Sequence, residues 1–194
     1  MAKIAFNMSE YFPSIKRLSS EIREKTETLM LNVISESKYE SIEFAHQYEP
    51  ARNFINYPLI DHINEVVNLV LLFKGLCSKE CTDTLIAGAL LHDIDKYCRY
   101  GSKSSGEIVE NLKIPHAIHG AKILKEYNIP TAIVHMVESH SRSFSLVPPE
   151  TEEAILLRHA DELAVELKYR RAGIDIWNVG CGDGILSCMP QRSK

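Results

Sequence analysis

Apolar residues recur at helical rather than strand spacing along most of this chain. Ile15, Leu18, Ile22, Leu29, Val33 and Ile34 fall three, four or seven positions apart with Lys, Arg and Glu between them, which predicts an amphipathic helix over 13–36. A shorter helix is expected near 42–46, and a long one over 59–76, where NYPL breaks the pattern before it and Gly75 and Ser78 suit its end. Residues 81–99 read as one continuous, largely buried helix, and GSKSSG at 101–106 as a polar, flexible loop. Pro115, Pro130 and Pro149 each stand where a new helical pattern begins, as proline does in a first turn; the helices expected there cover 115–127, 130–140 and 149–171. No segment alternates as a strand between turn signals. The expected fold is all-α, six to eight helices in a compact bundle around one core. A helical extension is expected over 1–55, a main domain over 56–172 and an irregular tail over 173–194.

Composition narrows the partners without choosing one. A net charge of −4 gives no global reason to expect nucleic acid or an anionic membrane. The run VVNLVLLF at 66–73 is too short to span a bilayer. Five cysteines, Cys77, Cys81, Cys98, Cys181 and Cys188, form no CxxC pair and follow no signal-peptide pattern. Reduced thiols in a cytoplasmic protein are expected.

Chemistry enters through histidines and aspartates placed inside apolar helices. His62 lies in DHINEVVNLVLLF, His92 and Asp93 in LLHDIDKY, His116 at the start of HAIHGAKIL, His140 at the end of VESH and Asp161 in RHADELA. Each group comes from a different predicted helix, so together they would line one pocket with nitrogen and oxygen ligands. Buried without partners, such groups are costly, and a metal ion removes that cost. Neighbouring residues on a helix point about 100° apart, so His92 and Asp93 share a cation only at the helix flank. A carboxylate can bridge two cations, whereas one imidazole nitrogen binds a single ion; Asp93 is therefore the expected bridge. On an unbroken helix Asp95 falls on another face than Asp93, which reads as solvent-facing or a local cap. Lys96 shares the face of His92 and Asp93 and is placed for a phosphate oxygen. Arg142, two residues after His140, could clamp a phosphate with its planar fork. His46, His135 and His159 read as ordinary core or surface histidines.

These residues resemble the HD-domain superfamily of metal-dependent phosphohydrolases, whose signature is H…HD…D. AGALLHDIDKY is similar to the family's small-x-LLHDIGK segment, with Asp95 where many relatives have glycine, and ILLRHADELA to its terminal aspartate helix. HAIHGAKIL resembles an H-x3-G-A-x-x-L segment whose histidine binds a second metal, here His116, and VESH the following helix, here His140. The ordered set is like the dinuclear HD proteins, including bacterial ones that hydrolyse diadenosine tetraphosphate. Where some subgroups carry a His-His pair this chain has Ser139–His140, and it has no GYP-type signature. His119, three residues after His116, would face the substrate or support a ligand.

The resemblance implies a phosphoester or phosphoanhydride hydrolase acting on a nucleotide or related small molecule. His62, His92, Asp93 and Asp161 would hold one divalent ion, and His116, His140 and bridging Asp93 a second, with hydroxide between the two. The donor set suits iron, manganese or zinc, and magnesium could enter with substrate. A catalytically silent nucleotide-binding module and a mononuclear enzyme remain alternatives, and the N-terminal helix could serve a homodimer. IDIWNVGCGDGIL at 174–186 resembles the glycine-rich first motif of S-adenosylmethionine-dependent methyltransferases. Too little chain follows it for the strand–helix unit such a site needs, so a turn-rich tail with Trp177 packed back on the domain is expected.

Overall fold

A computed structural model of the chain describes residues 7–37, 39, 41–102, 108–110, 114–142, 145–174 and 176. Among them lie α1 (Met8–Tyr11), α2 (Ser20–Ser35), α3 (Leu59–Phe73), α4 (Thr82–Leu91), α5 (Lys96–Arg99), α6 (His116–Glu126), α7 (Thr131–Ser139) and α8 (Glu152–Arg171). Short 3-10 turns and one hairpin, β1 (Tyr100–Ser102) with β2 (Ile108–Glu110), connect them. The fold is all-α.

Helix α4 sits at the centre. Every residue from Leu85 to Leu91 is buried, so no polar face exists and the helix is surrounded. It packs on α2, α3, α7 and α8; α3 also packs on α8, and α7 on α6 and α8. In α3, Leu59, Ile63, Val66, Val67 and Val70 are buried at helical spacing. Gly88 lets α4 and α7 approach: a Cβ there would lie 2.5 Å from the terminal methyl of Met136.

Two helical hairpins decide where chemistry can occur. In α3–α4 and in α6–α7 the second helix folds back on the first, so the start of one meets the end of the other. The α6–α7 turn is set by Asn128, which takes a left-handed conformation (φ 53°). There the Ile129 N–H bonds Leu124 O at 3.1 Å and the Asn128 N–H bonds Lys125 O at 3.2 Å, satisfying carbonyls that the helix end leaves open. Helix α8 ends the same way at Gly173 (φ 78°), which returns Ile174 onto Tyr169. It begins with Thr151, whose hydroxyl accepts the Ala154 N–H at 3.2 Å.

The N-terminal segment is part of the main core: Phe12, Ile15, Leu18, Leu29, Met30 and Val33 share one apolar cluster with α3, α4 and α7. The helix expected over 13–36 is divided. Pro13–Arg17 form a 3-10 turn, Leu18 is extended, and α2 begins after Ser19, whose N–H donates to Asp83 Oδ2 at 3.1 Å. The region 42–46 is also a 3-10 turn, Ile42–Phe44, and His46 then bridges Pro58. The helix expected over 81–99 stops at Leu91 and resumes at Lys96. Strands β1 and β2 pair Tyr100 with Glu110 and Ser102 with Ile108. At three residues each they are too short for alternation to register in a sequence. Most of the loop expected at 101–106, and nearly all of the glycine-rich stretch with Trp177, lie outside the described residues. Cys77, Cys81 and Cys98 are free thiols. No helix among the described residues is long and apolar enough to cross a membrane.

Candidate metal centre

His62 lies in the first turn of α3 and His92 follows the last residue of α4. His116 opens α6 and His140 follows the last residue of α7. The two hairpins thus repeat one arrangement, and all four imidazoles meet at the same end of the bundle. Asp161 reaches them from the middle of α8.

The first half of the cluster closes around His62 Nε2. It lies 3.1 Å from His92 Nε2, 3.3 Å from Asp93 Oδ2 and 3.1 Å from Asp161 Oδ1. His92 Nε2 is 3.4 Å from Asp93 Oδ2 and 3.8 Å from Asp161 Oδ1. The second half closes around the other oxygen of the same aspartate. Asp93 Oδ1 is 3.5 Å from His116 Nδ1 and 3.8 Å from His140 Nε2. His62, His92 and Asp93 form one group whose ligand atoms lie within 4.8 Å of one another, and Asp93, His116 and His140 form another. Asp93 is common to both, one oxygen to each.

Hydrogen bonds behind the imidazoles select which nitrogen faces inward. His92 Nδ1 lies 2.8 Å from Ala89 O and His140 Nδ1 lies 2.6 Å from Val137 O; a carbonyl accepts only, so both Nδ1 atoms carry the proton. His62 Nδ1 stands 3.1 Å from the Tyr57 hydroxyl, which donates to Glu65 Oε2 at 2.5 Å and therefore accepts from His62. In each case the Nε2 lone pair is presented to the cluster. Two lone pairs 3.1 Å apart, as on His62 and His92, repel unless a proton or cation lies between them. Asp93 Oδ1 and His140 Nε2 are buried with no hydrogen-bond partner among the described residues. That is the signature of atoms shaped for a ligand, and these His/Asp groups could hold divalent metal.

The charges agree. Burial, reinforced by His140, pushes His116 down to about 3, so its ring is neutral. His140 is lowered by burial and by His92. Burial alone would raise Asp93, but the charges of Lys96 and His92 and the close contacts with the His62 and His92 rings hold it well below the usual carboxylate range. Asp161 is likewise held down against its burial by His62 and His92. His92 is raised, because the Asp93 and Asp161 charges outweigh its burial. Both carboxylates are therefore ionised and ready to bind a cation.

Three expected substrate contacts are now located. Lys96 is buried, with Nζ 2.6 Å from Asp93 Oδ2. His119 Nδ1 lies 3.4 Å from Asp95 Oδ2. Arg142 is exposed and pairs with Glu162, next to Asp161, at 3.2 Å. The edges open to solvent are Asp161, His116 and His119, with side chains 18%, 14% and 16% exposed, so that side is the mouth.

The solvent-facing or capping role expected for Asp95 is overturned. The residue is fully buried, and no side-chain cap bond forms at its helix start. Oδ2 accepts Arg99 Nε at 2.7 Å, and Oδ1 lies 3.9 Å from His116 Nδ1. A helical wheel misplaces Asp95 because the helix stops at Leu91. Ile94 N–H bonds Leu91 O and Lys96 N–H bonds Asp93 O, both at a three-residue spacing, so residues 92–95 follow a tighter path. Tyr57, Glu65 and Arg99 were not foreseen. Glu65, one helical turn after His62, and Arg99, four residues after Asp95, had detectable spacings. Tyr57 reaches its partner through a loop and had none. His46, His135 and His159 are ordinary, as expected: His46 is held by backbone groups, His135 Nε2 accepts the Glu150 N–H at 3.0 Å, and His159 is exposed.

The geometry can be set beside known proteins. A model of the HD domain family matches residues 59–166. The chain is similar to the dihydroneopterin 2',3'-cyclic phosphate phosphodiesterase of Methanocaldococcus jannaschii, 29% identical over 129 residues, which cover 63% of this chain and 49% of that protein. It is also similar to ribonuclease Y of Thermoanaerobacter pseudethanolicus, 30% identical over 109 residues, 55% of this chain and 18% of that protein. The chain thus spans 49% of the first relative's length and 18% of the second's. No solved structure matches. The matched segment begins at the first residue of α3, ends within α8 and carries all six expected ligands, so the chain belongs to the HD domain family.

Proposed function

We propose that this protein is a metal-dependent phosphohydrolase that cleaves a phosphoester or phosphoanhydride of a nucleotide or related small molecule, using two divalent ions. The observation that carries the reading is the division of Asp93, with Oδ2 turned to His62 and His92 and Oδ1 to His116 and His140. A carboxylate that bridges two cations needs that arrangement. The similarity to a cyclic phosphate phosphodiesterase and to a ribonuclease supports chemistry at phosphorus.

Bound divalent ions would supply an activated water at neutral pH and neutralise charge developing on phosphate. The chain's own residues do the rest. His62, His92 and Asp161 would hold the first ion with Asp93, and His116 and His140 the second. Tyr57, Ala89 and Val137 fix the tautomers of His62, His92 and His140, with Nε2 turned to the centre. Lys96 balances Asp93 and supplies a buried ammonium for a phosphate oxygen. His119 and Arg142, at the mouth, meet the rest of the substrate. Nitrogen and oxygen donors without thiolate suit iron, manganese or zinc.

Hydrolysis of a panel of cyclic nucleotides, dinucleoside polyphosphates and sugar phosphates, with manganese or iron supplied, tests the reading. At least one substrate should be cleaved, chelation should stop the reaction, and Asp93→Ala should reduce it to background. A panel left intact by metal-loaded protein would favour a silent binding module instead.

A further inference from the structure

Asp95 has no part in the reaction as described, yet it is built into the centre with as much care as the ligands. Its side chain is fully buried. Oδ2 accepts Arg99 Nε at 2.7 Å, and the same guanidinium donates from a terminal nitrogen to Ile114 O at 2.6 Å. Arg99 thus ties Asp95 to the chain that leads directly into His116. The other oxygen, Oδ1, accepts no hydrogen bond among the described residues. A buried, charged and unpartnered oxygen is costly unless something positive meets it.

The position of Oδ1 says what that would be. It lies 3.9 Å from His116 Nδ1, the atom that stands 3.5 Å from Asp93 Oδ1, while His140 Nε2 is 3.8 Å from that same oxygen. Two donors bound to one ion at about 2.0–2.2 Å stand about 3–4 Å apart. All three separations fall in that range, the one that involves Asp95 at its upper end, and Asp95 stands beside, not within, the group of Asp93, His116 and His140 that closes within 4.8 Å. We propose that Asp95 is a fourth protein ligand of the second cation, its Oδ1 joining Asp93 Oδ1, His116 Nδ1 and His140 Nε2; the assignment rests on the two-cation reading above. With Asp95 the second half matches the first, two carboxylates and two imidazoles in each, a donor set that suits manganese or ferrous iron.

Wild-type and Asp95→Asn proteins are equilibrated with excess Mn²⁺, freed of unbound ion by gel filtration and measured for metal per chain. Asparagine keeps the shape and an oxygen for Arg99 but removes the charge. Two ions per wild-type chain and one per variant, with unchanged circular dichroism, is the expected result. Two ions in both, released by chelator at equal rates, overturns the role of Asp95 and leaves the two-cation reading intact. A single ion in the wild type overturns both. Should the variant fail to fold, anomalous scattering from Mn²⁺ in wild-type crystals decides the matter. An ion held by His116 and His140 with Asp95 Oδ1 within about 2.5 Å is expected, and the same ion with Asp95 Oδ1 clearly farther away overturns the assignment.

Discussion

Two buried polar clusters, each built around a histidine and a carboxylate, lie on either side of Tyr57. In the first, Glu49 accepts from the Tyr39 hydroxyl at 2.6 Å, the His46 N–H at 3.0 Å and two Arg52 nitrogens at 2.7 Å each. His46 has a carbonyl and a backbone N–H at both ring nitrogens: Tyr48 O at 2.9 Å and Tyr48 N at 3.2 Å, Ile55 O at 2.8 Å and Tyr57 N at 3.0 Å. Either neutral tautomer is satisfied. In the second cluster, imidazole and carboxylate atoms crowd one another at 3.1–3.9 Å, and Asp93 Oδ1 and His140 Nε2 have no hydrogen-bond partner among the described residues. The first is finished as it folds, while the second is completed only by a ligand. Residue composition does not separate them; hydrogen-bond completeness does. Tyr57 joins the two, its N–H on His46 and its hydroxyl on His62, so the structural cluster orients a histidine of the other.

The contrast is broken most severely at Asp93. Asp93→Ala should remove bound metal from both halves and abolish hydrolysis, and because it also strands the buried Lys96 ammonium it should cost stability in chelator as well. The check is metal content with urea unfolding in chelator and in Mn²⁺; an Asp93→Ala protein that keeps its metal would make Asp93 a structural residue like Glu49. The opposite outcome is expected for Glu49→Ala, which strands Arg52, the Tyr39 hydroxyl and the His46 N–H. It should cost about 2–3 kcal/mol in urea unfolding, with metal content per folded molecule retained. Tyr57→Phe acts between the clusters. Without its hydroxyl the His62 tautomer is no longer fixed, and the affinity of the first ion should fall about 10–100-fold in a metal titration, with only a small loss of stability.

The smallest effect concerns pH. Burial lowers His46 from its ordinary 6.5, so the fold favours the neutral ring. Its contribution is complete above the unfolded value and is lost as pH falls below about 6.5. Unfolding free energy should therefore decline on the acid side of neutrality, and His46→Gln should flatten that part of the profile. An identical acid slope in the variant would assign the effect elsewhere.

Which parts of this were legible in the sequence follows from the same distinction. His62, His92, Asp93, His116, His140 and Asp161 could be read because residue type and order, on helices that the apolar spacing reveals, carry the information. The all-α fold was readable for the same reason. What could not be read depended on how the backbone departs from an ideal helix. Asp95 was misplaced because residues 92–95 tighten after Leu91, and the helix expected over 13–36 parts at Leu18, whose apolar side chain is buried although its backbone is extended. The tautomer-setting partners, two of them carbonyls, have no residue signature. Tyr57 is brought to His62 by a loop that the His46 cluster anchors from behind.

The central claim is that the incomplete cluster binds divalent cations, and thermal unfolding with and without Mn²⁺ tests it directly. At a concentration about 1,000 times the dissociation constant, binding adds about 4 kcal/mol, or about 8–16 °C in Tm for a chain of this size. The wild type should show that shift and lose it with chelator, and Asp93→Ala should show none. A wild type whose Tm ignores Mn²⁺, or an Asp93→Ala protein that shifts as far, would contradict the assignment of these residues as a metal centre.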